Sequence, residues 1–273
     1  MGLHHCLVAR GRPPQLHTTE AQWASLLKKV EGLETGTSAL NDEAVWTFLC
    51  AYGYAIENCG DVLARLLCEN RVPVSSGDLW LESEPFPPRE NEGNTMVDLA
   101  AGNLRPRLPT KSGVEFDPAH AGPESWAVLV ECKWLSDMSA YTKYDPLRGQ
   151  LLRVIENALA LQGGDRRPQS SHFTLLTPRV FKEHPRARGY GLLFNAYSET
   201  PALIANDLSV HRHPVRSMPP DWKYPDLSER ISALRLHWVD FESVIASMPS
   251  SEFKAELIRV AQRDGTLLDA GSF

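Results

Sequence analysis

Three charged side chains stand where the sequence otherwise predicts buried β-strands. Asp98 lies within the apolar residues 96–100, and Glu131 ends an apolar run that begins at Trp126 and is followed by Cys132 and Lys133. A carboxylate buried in a strand is costly unless it is paired or binds a metal. Side chains two residues apart point to one face of a strand, so Glu131 and Lys133 share a face while Cys132 points to the other as a small buried residue.

Two carboxylates and one amine suit a hard divalent cation. If the strands that carry Asp98 and Glu131 are neighbours, these carboxylates and Lys133 converge at one edge of a sheet. Carboxylate oxygens are ligands that Mg²⁺ and Mn²⁺ prefer. A bound cation lowers the pKa of water, and a lysine stabilises negative charge that develops on phosphate. This chemistry fits hydrolysis of a phosphodiester bond.

The surrounding elements predict a mixed sheet with helices. Apolar periodicity predicts strands at residues 79–86, 95–104, 125–134, 172–181 and 234–239, and helices at residues 19–30, 41–71 with a break at Gly60, 145–162 and 251–262. Residues 1–18 lack periodicity and are expected to be a mobile leader or a peripheral strand. A strand–helix–strand unit in the middle requires a crossover and a partly parallel sheet. The expected fold class is α/β, or α+β with a mixed sheet.

These residues and elements resemble the PD-(D/E)XK, or restriction-endonuclease-like, nuclease superfamily. The core of that family is a helix, a strand hairpin, a strand bearing (D/E)XK, a helix and a further strand. Here Asp98 matches the aspartate of the motif, and Glu131, Cys132 and Lys133 match its ExK. Residues 145–161 then match the helix and residues 173–181 the last strand, so that the resemblance covers residues 41–181 and implies a restriction-endonuclease-like core.

By this resemblance, Mg²⁺ or Mn²⁺ is the expected cofactor. Asp98 and Glu131 would hold the ion, the backbone carbonyl of Cys132 would join them, and Lys133 would be the catalytic lysine. Many members add a glutamate from the preceding helix, for which Glu43 is the first candidate and Glu57 the second.

The helix after the motif supplies two further candidates. A glutamine on this helix often supports the site in the family, and Gln150 stands in that position with Arg153 one turn later. Both are expected to reach the phosphate, Arg153 through a forked contact. Val154 replaces the tyrosine that the recombination-exonuclease branch has four residues after the glutamine.

Two other departures concern the motif itself. Val97, not proline, precedes Asp98, and Glu131 follows Asp98 by 33 positions, so the hairpin would be elongated. An ExK sequence alone is a weak signal, since Glu252 and Lys254 repeat it in a predicted helix, where residues two apart do not share a face.

The charge distribution suggests a surface for a polyanion. The net charge of −6 divides into −8 for residues 1–140, +5 for residues 141–190 and −3 for residues 191–273. Within the basic segment, Arg148, Arg153, Arg166 and Arg167 are the candidates for contacts with a nucleic-acid backbone. Solvated surface charges are the alternative explanation. DNA is the expected partner, and RNA stays open.

The composition is that of a globular chain of 273 residues, 42% hydrophobic and 23% charged. Five cysteines without a CxxC pair argue against a disulfide framework and a zinc ribbon. No apolar run approaches the length of about 18 residues that a membrane span needs, and the first ten residues lack the pattern of a secretory signal. A cytoplasmic protein is expected.

The predicted organisation has three parts: an N-terminal leader and peripheral helix at residues 1–40, a nuclease core at residues 41–189, and an extension packed on the core at residues 190–273. The expected function is metal-dependent cleavage of DNA by an endonuclease of restriction, defence or repair type. One alternative is a non-catalytic relative that binds nucleic acid or a protein. Another is an unrelated α/β protein in which Asp98 and Glu131 lie far apart. A homodimer and a defence-system partner protein stay open.

Overall fold

The computed structural model describes residues 2–36, 40–90, 94–135, 149–210, 213–217, 221–269 and 271. The strands in these ranges are β1 (Leu16–His17), β2 (Leu79–Ser83), β3 (Val97–Gly102), β4 (Leu104–Pro106), β5 (Val114–Phe116), β6 (Trp126–Cys132), β7 (Ser170–Thr177) and β8 (Leu234–Asp240). The α-helices are α1 (Leu3–Arg10), α2 (Glu20–Thr35), α3 (Glu43–Ala55), α4 (Gly60–Leu67), α5 (Gln150–Ala160), α6 (Arg179–Glu183), α7 (Gly189–Glu199), α8 (Ala202–Ser209), α9 (Leu227–Ala233), α10 (Phe241–Ser247) and α11 (Glu252–Ala261).

Six strands form one mixed sheet in the order β1-β2-β3-β6-β7-β8. β2, β3 and β6 are antiparallel neighbours, whereas β7 and β8 continue from β6 in parallel and β1 is parallel to β2. The parallel step from β6 to β7 needs a crossover, and α5 lies on it. The α/β class with a mixed central sheet flanked by helices is therefore confirmed.

Helices cover both faces of this sheet. Alternate residues of β6 point to opposite sides: Val128 and Val130 pack with α1–α4, α10 and α11, while Ala127 and Leu129 pack with α5, α7 and α8. All seven residues of β6 are buried. Burial on both faces explains why this strand is a continuous apolar run instead of an alternating one.

The first 18 residues include the expected peripheral strand, because β1 pairs with β2 at the edge of the sheet. They also contain a helix that was not expected, α1, with Leu3 and Leu7 fully buried on one face. Leu3, Cys6 and Leu7 have helical spacing, but the histidines and arginines around them conceal it in the sequence. In the predicted helix at residues 145–162, the described part begins at Gly149, and its expected start at Asp145 lies outside the described residues.

The predicted C-terminal extension supplies part of the same sheet. β8 pairs with β7 over seven residues, and Phe241 and Leu257 pack with α3 in one apolar cluster.

In the described part of the chain, no helix combines the length and the apolar character needed to cross a membrane.

Candidate active site

The pairing of β3 with β6 brings the two strand carboxylates together. Leu99 is paired with Val130, so continuing this antiparallel register by one residue places Asp98 opposite Glu131. Residues opposite each other in an antiparallel pair share a face of the sheet. The backbone N–H of Cys132 donates a hydrogen bond to Asp98 Oδ2 at 2.7 Å, which fixes this carboxylate against the end of β6. The two strands are thus neighbours.

Lys133 lies between two glutamates. Its Nζ is 2.7 Å from Glu131 Oε1 and 3.8 Å from Glu43 Oε1. The other oxygen of Glu43 accepts a hydrogen bond from the backbone N–H of Trp134 at 3.2 Å. Since Asp42 caps α3 through the N–H groups of its first turn, Glu43 is the first helical residue and faces the end of β6.

Glu57, the second candidate for the helix glutamate, does not join this group. It follows the far end of α3 and forms an ion pair with Arg10 at 3.2 Å. A helix of this length spans about 20 Å. The structure thus places Glu43, and not Glu57, beside the candidate site.

Burial controls the ionisation of the two strand carboxyls. Glu131 is fully buried, and burial together with the charge of Asp98 raises its pKa to about 8, against the opposing effect of Lys133. Burial likewise raises the pKa of Asp98 to about 7, although the hydrogen bond from Cys132 lowers it in part. Charged forms of both carboxylates are therefore costly in the protein alone, and a cation would stabilise them.

Lys133 behaves differently, although it is only 4% exposed. Burial works against its charged form, but the carboxylates of Glu131 and Glu43 outweigh this effect and raise the pKa of the ammonium group. Lys133 therefore carries a positive charge throughout the neutral pH range.

The ligand atoms at this edge fit a hard divalent cation. Glu131 Oε2 is buried and has no hydrogen-bond partner among the described residues, and leaving such an oxygen unsatisfied costs free energy. Glu43, Asp98 and Glu131 do not form a described group of three ligands whose atoms lie within 4.8 Å of one another. Asp98 and Glu131 would therefore hold the ion with water and a backbone carbonyl such as that of Cys132, a ligand set typical of Mg²⁺.

Glu82 is a neighbouring carboxylate that the sequence did not single out. In the β2–β3 register, Leu81 pairs with Leu99 and Ser83 with Val97, so Glu82 is opposite Asp98. Its charge contributes to the raised pKa of Asp98, and its backbone has a left-handed φ of 42°. A non-glycine residue rarely adopts this conformation outside functional or tightly constrained sites. A charged residue inside the predicted strand at residues 79–86 is visible in the sequence. Its position opposite Asp98 can be seen only from the pairing register of β2 with β3.

The two predicted residues of α5 lie at its beginning. Gln150 is the first helical residue, is half-buried, and its side chain makes no hydrogen bond within the described ranges. Arg153 donates a hydrogen bond from its guanidinium to Thr95 Oγ1 at 2.9 Å, just before β3. Arg153 therefore lies near the strand that carries Asp98, whereas Arg148 is outside the described residues.

Arg166 and Arg167 lie beyond the opposite end of the strands from the candidate site. They precede β7, whose first residue Ser170 pairs with Trp126 at the start of β6. A seven-residue strand separates that end from Glu131 by roughly 20 Å. Arg167 donates to the backbone carbonyl of Lys223, and Arg166 is exposed beside Asp165. The structure does not bring these two arginines to the candidate site, because the crossover through α5 returns the chain to the end of the sheet where β6 begins.

Two other cations lie nearer to Glu131. Arg179 and Lys182 belong to α6, which follows β7 at the edge where β6 also ends. Asp240 at the end of β8 lies 3.1 Å from the Arg179 guanidinium and 3.9 Å from Lys182 Nζ.

A separate cavity of ≈ 350 Å³, lined by residues such as His17, Trp80 and Lys111, contains none of the predicted site residues.

Comparisons of this chain with protein-family models, with curated proteins and with solved structures found no match.

Proposed function

We propose that this chain is a metal-dependent phosphodiesterase that cleaves DNA, with its catalytic centre at the carboxyl end of β6. One observation carries the proposal. Asp98, at the start of β3, lies opposite Glu131, near the end of the paired strand β6, and the ammonium group of Lys133 lies 2.7 Å from Glu131. Glu131 is fully buried and Asp98 is half-buried, and a charged lysine beside these two carboxylates suits a place where an anionic substrate and a cation meet.

The order of elements supports a restriction-endonuclease-like core. α3, the β2–β3 hairpin, β6 with its Glu-Cys-Lys sequence, α5 and β7 follow one another along the chain. β2, β3 and β6 are antiparallel and β7 is parallel to β6. This is the helix, hairpin, motif strand, helix and strand sequence to which residues 41–181 are similar.

Each residue has a distinct chemical task in this proposal. Asp98 and Glu131 would hold Mg²⁺ or Mn²⁺, an ion that neutralises phosphate charge and lowers the pKa of bound water. Lys133 stabilises the negative charge that develops on a phosphate oxygen. Glu43 keeps the Lys133 ammonium in place, and the Arg153 guanidinium, which donates to Thr95, is the candidate for a forked phosphate contact.

The test compares cleavage of supercoiled plasmid, single-stranded DNA and single-stranded RNA with Mg²⁺ or Mn²⁺. Asp98→Asn removes one charge but keeps an oxygen that accepts the hydrogen bond of Cys132. Lys133→Met removes the ammonium group. Each variant is expected to lose at least about 100-fold in rate, the usual effect of removing one group that stabilises transition-state charge. Glu252→Gln, from the second Glu-x-Lys sequence in α11, is the matched control and keeps full activity.

Binding of Mn²⁺, measured by calorimetry, separates the alternatives. Cleavage that persists in Asp98→Asn would place the activity elsewhere. A wild-type chain that neither cleaves nor binds Mn²⁺ would favour the non-catalytic protein that binds nucleic acid or another protein.

A further inference from the structure

A second group of ligand-type side chains lies away from the candidate active site. Cys68, His172 and His237 place one ligand atom each within 4.8 Å of one another, and all three residues are buried. They come from three separate elements: Cys68 is the C-cap of α4, His172 is in β7, and His237 is in β8. No function proposed for the end of β6 uses them.

Hydrogen bonds orient the two imidazole rings towards each other. His172 Nδ1 lies 2.9 Å from His237 Nε2, and the outer nitrogen of each ring has its own partner. His237 Nδ1 is 3.3 Å from Glu69 Oε2, and His172 Nε2 is 3.1 Å from Ser170 Oγ. A carboxylate only accepts, so His237 donates to Glu69 and its Nε2 presents a lone pair inwards.

Burial keeps both rings neutral. It lowers the pKa of His172 to about 3 and also lowers the pKa of His237. Neutral imidazole is the form that binds metals, and an outer nitrogen held by a carboxylate or a hydroxyl is the usual arrangement around a metal-binding histidine. Glu69 and Ser170 occupy these outer positions here.

The backbone around Cys68 places its thiol beside the rings. The Sγ atom is buried and makes no hydrogen bond to any residue that the structure describes. Glu69 and Asn70 follow with φ angles of 51° and 59°, both in the left-handed region. Two consecutive non-glycine residues in this conformation are strained, yet the turn brings the Cys68 thiol and the Glu69 carboxylate to the same pair of histidines.

We propose that Cys68, His172 and His237 bind one Zn²⁺ ion, at a site separate from Asp98 and Glu131. A thiolate with two imidazoles is a ligand set for Zn²⁺ and other soft divalent ions, and it does not suit Mg²⁺. Three protein ligands leave one position of a tetrahedral ion for an added molecule. Glu69, 40% exposed in its side chain, connects the cluster with solvent.

The protons balance with one released to solvent per ion. The Cys68 S–H bond breaks as the Zn–S bond forms, and the thiol proton leaves. His237 keeps its proton on Nδ1 and binds through Nε2. His172 moves its proton from Nδ1 to Nε2, where the Ser170 hydroxyl changes from donor to acceptor, and binds through Nδ1. The ion would thereby connect the end of α4 to β7 and β8.

Cobalt titration of the tag-free full chain tests the proposal. One equivalent of Co²⁺ is expected to produce the near-ultraviolet charge-transfer absorption of a cobalt–thiolate bond, and one equivalent of Zn²⁺ should remove it. Cys68→Ser abolishes the absorption, whereas Cys59→Ser keeps it. Cys59 is the matched control because it caps the other end of α4. Glu69→Gln is expected to weaken Zn²⁺ binding by about 10–100-fold, the usual effect of losing a group that orients a ligand.

Several results would overturn the site. These are a wild-type chain without the charge-transfer absorption, an absorption that survives in Cys68→Ser, or displacement of Co²⁺ by excess Mg²⁺. The wild-type spectrum decides even if Cys68→Ser does not fold. Asp98→Asn should leave the titration unchanged, because the two proposed sites are independent.

Discussion

The ion pair between Glu131 and Lys133 lies where both partners have lost almost all contact with solvent. Removing two charges from water costs several kcal/mol for each ion, and their attraction often repays no more than this cost. A hydrophobic pair of similar size would serve the fold at least as well. The pair, with Glu43 as a third charged group, is therefore weak evidence for a stabilising role, and it fits the catalytic role proposed for the end of β6.

The pH dependence of unfolding follows from the raised carboxyl pKa values. Asp98 and Glu131 have pKa values of about 7 and about 8 in the folded chain, against about 4 when unfolded. Between these limits the folded chain binds more protons, so its free energy of unfolding falls as pH rises. Thermal unfolding of the metal-free chain from pH 5 to pH 8 should show this decrease, and Asp98→Asn should make it shallower. An unchanged slope in Asp98→Asn, equal to that of Glu252→Gln, would contradict the assignment.

Lys133→Met should destabilise the chain in a pH-dependent way. At pH 6 the remaining Glu131 is protonated and neutral. At pH 9 the folded chain must either bury Glu131 as an unpaired carboxylate or keep it protonated above its pKa, and both cost free energy. We expect the loss of unfolding free energy to reach about 3 kcal/mol or more at pH 9, the usual cost of breaking a buried pair, and to be clearly smaller at pH 6. Denaturant unfolding at both pH values measures it. The exposed Lys28→Met is the control, and equal losses at the two pH values would refute the coupling.

At the scale of elements, a buried polar network holds α5 in place. Arg89, in the loop after β2, donates to Glu156 of α5 at 2.8 Å, and Tyr224 donates to the same carboxylate. Arg89 also donates to the backbone carbonyls of Leu208 and His213. This network fixes the helix whose first turns carry Gln150 and Arg153.

Arg89→Ala should therefore be much more damaging than the loss of a surface arginine. It takes the Arg89 guanidinium away from Glu156, which is fully buried, and we expect a loss of about 3–5 kcal/mol in unfolding free energy. Arg105→Ala is the control, because its ion pair with Glu115 is partly exposed to solvent and worth about 0–1 kcal/mol. Denaturant unfolding of both variants gives the comparison, and similar losses would show that the network is not a structural support.

The sequence predicted elements better than it predicted their pairings. Apolar periodicity reflects local burial, so it predicted the strand that ends near Glu131, the helix break at Gly60 and the α/β class. The opposition of Glu82 to Asp98 depends on strand register, which local patterns do not contain. Cys68, His172 and His237 are 104 and 65 residues apart, so only the parallel pairing of β7 with β8 and their packing against α4 reveal the cluster.

At the scale of the whole molecule, the sheet divides two apolar cores that draw on all parts of the chain. One core combines α1–α4 with α10 and α11, and the other combines α5 with α7 and α8. Residues before 41 and after 189 therefore contribute to the same packing as the segment that carries the candidate active site. The predicted division at residue 190 separates segments of sequence and not independent cores.

A chain that ends at Glu199 should consequently not fold. It would lack β8, so that β7 would become an edge strand, and it would lose Phe241, Val244, Ile245 and Leu257, which pack in the core that contains α3. Burial of each such side chain contributes about 1.5–3 kcal/mol, so the four together contribute about 6–12 kcal/mol, which is comparable with the whole net stability of most domains, about 5–15 kcal/mol. Circular dichroism during heating should show no cooperative transition, while a chain that ends at Asp269 keeps every described helix and strand and unfolds cooperatively. Cooperative unfolding of the shorter chain would instead identify an independent nuclease-like core, with the C-terminal third as an addition to it.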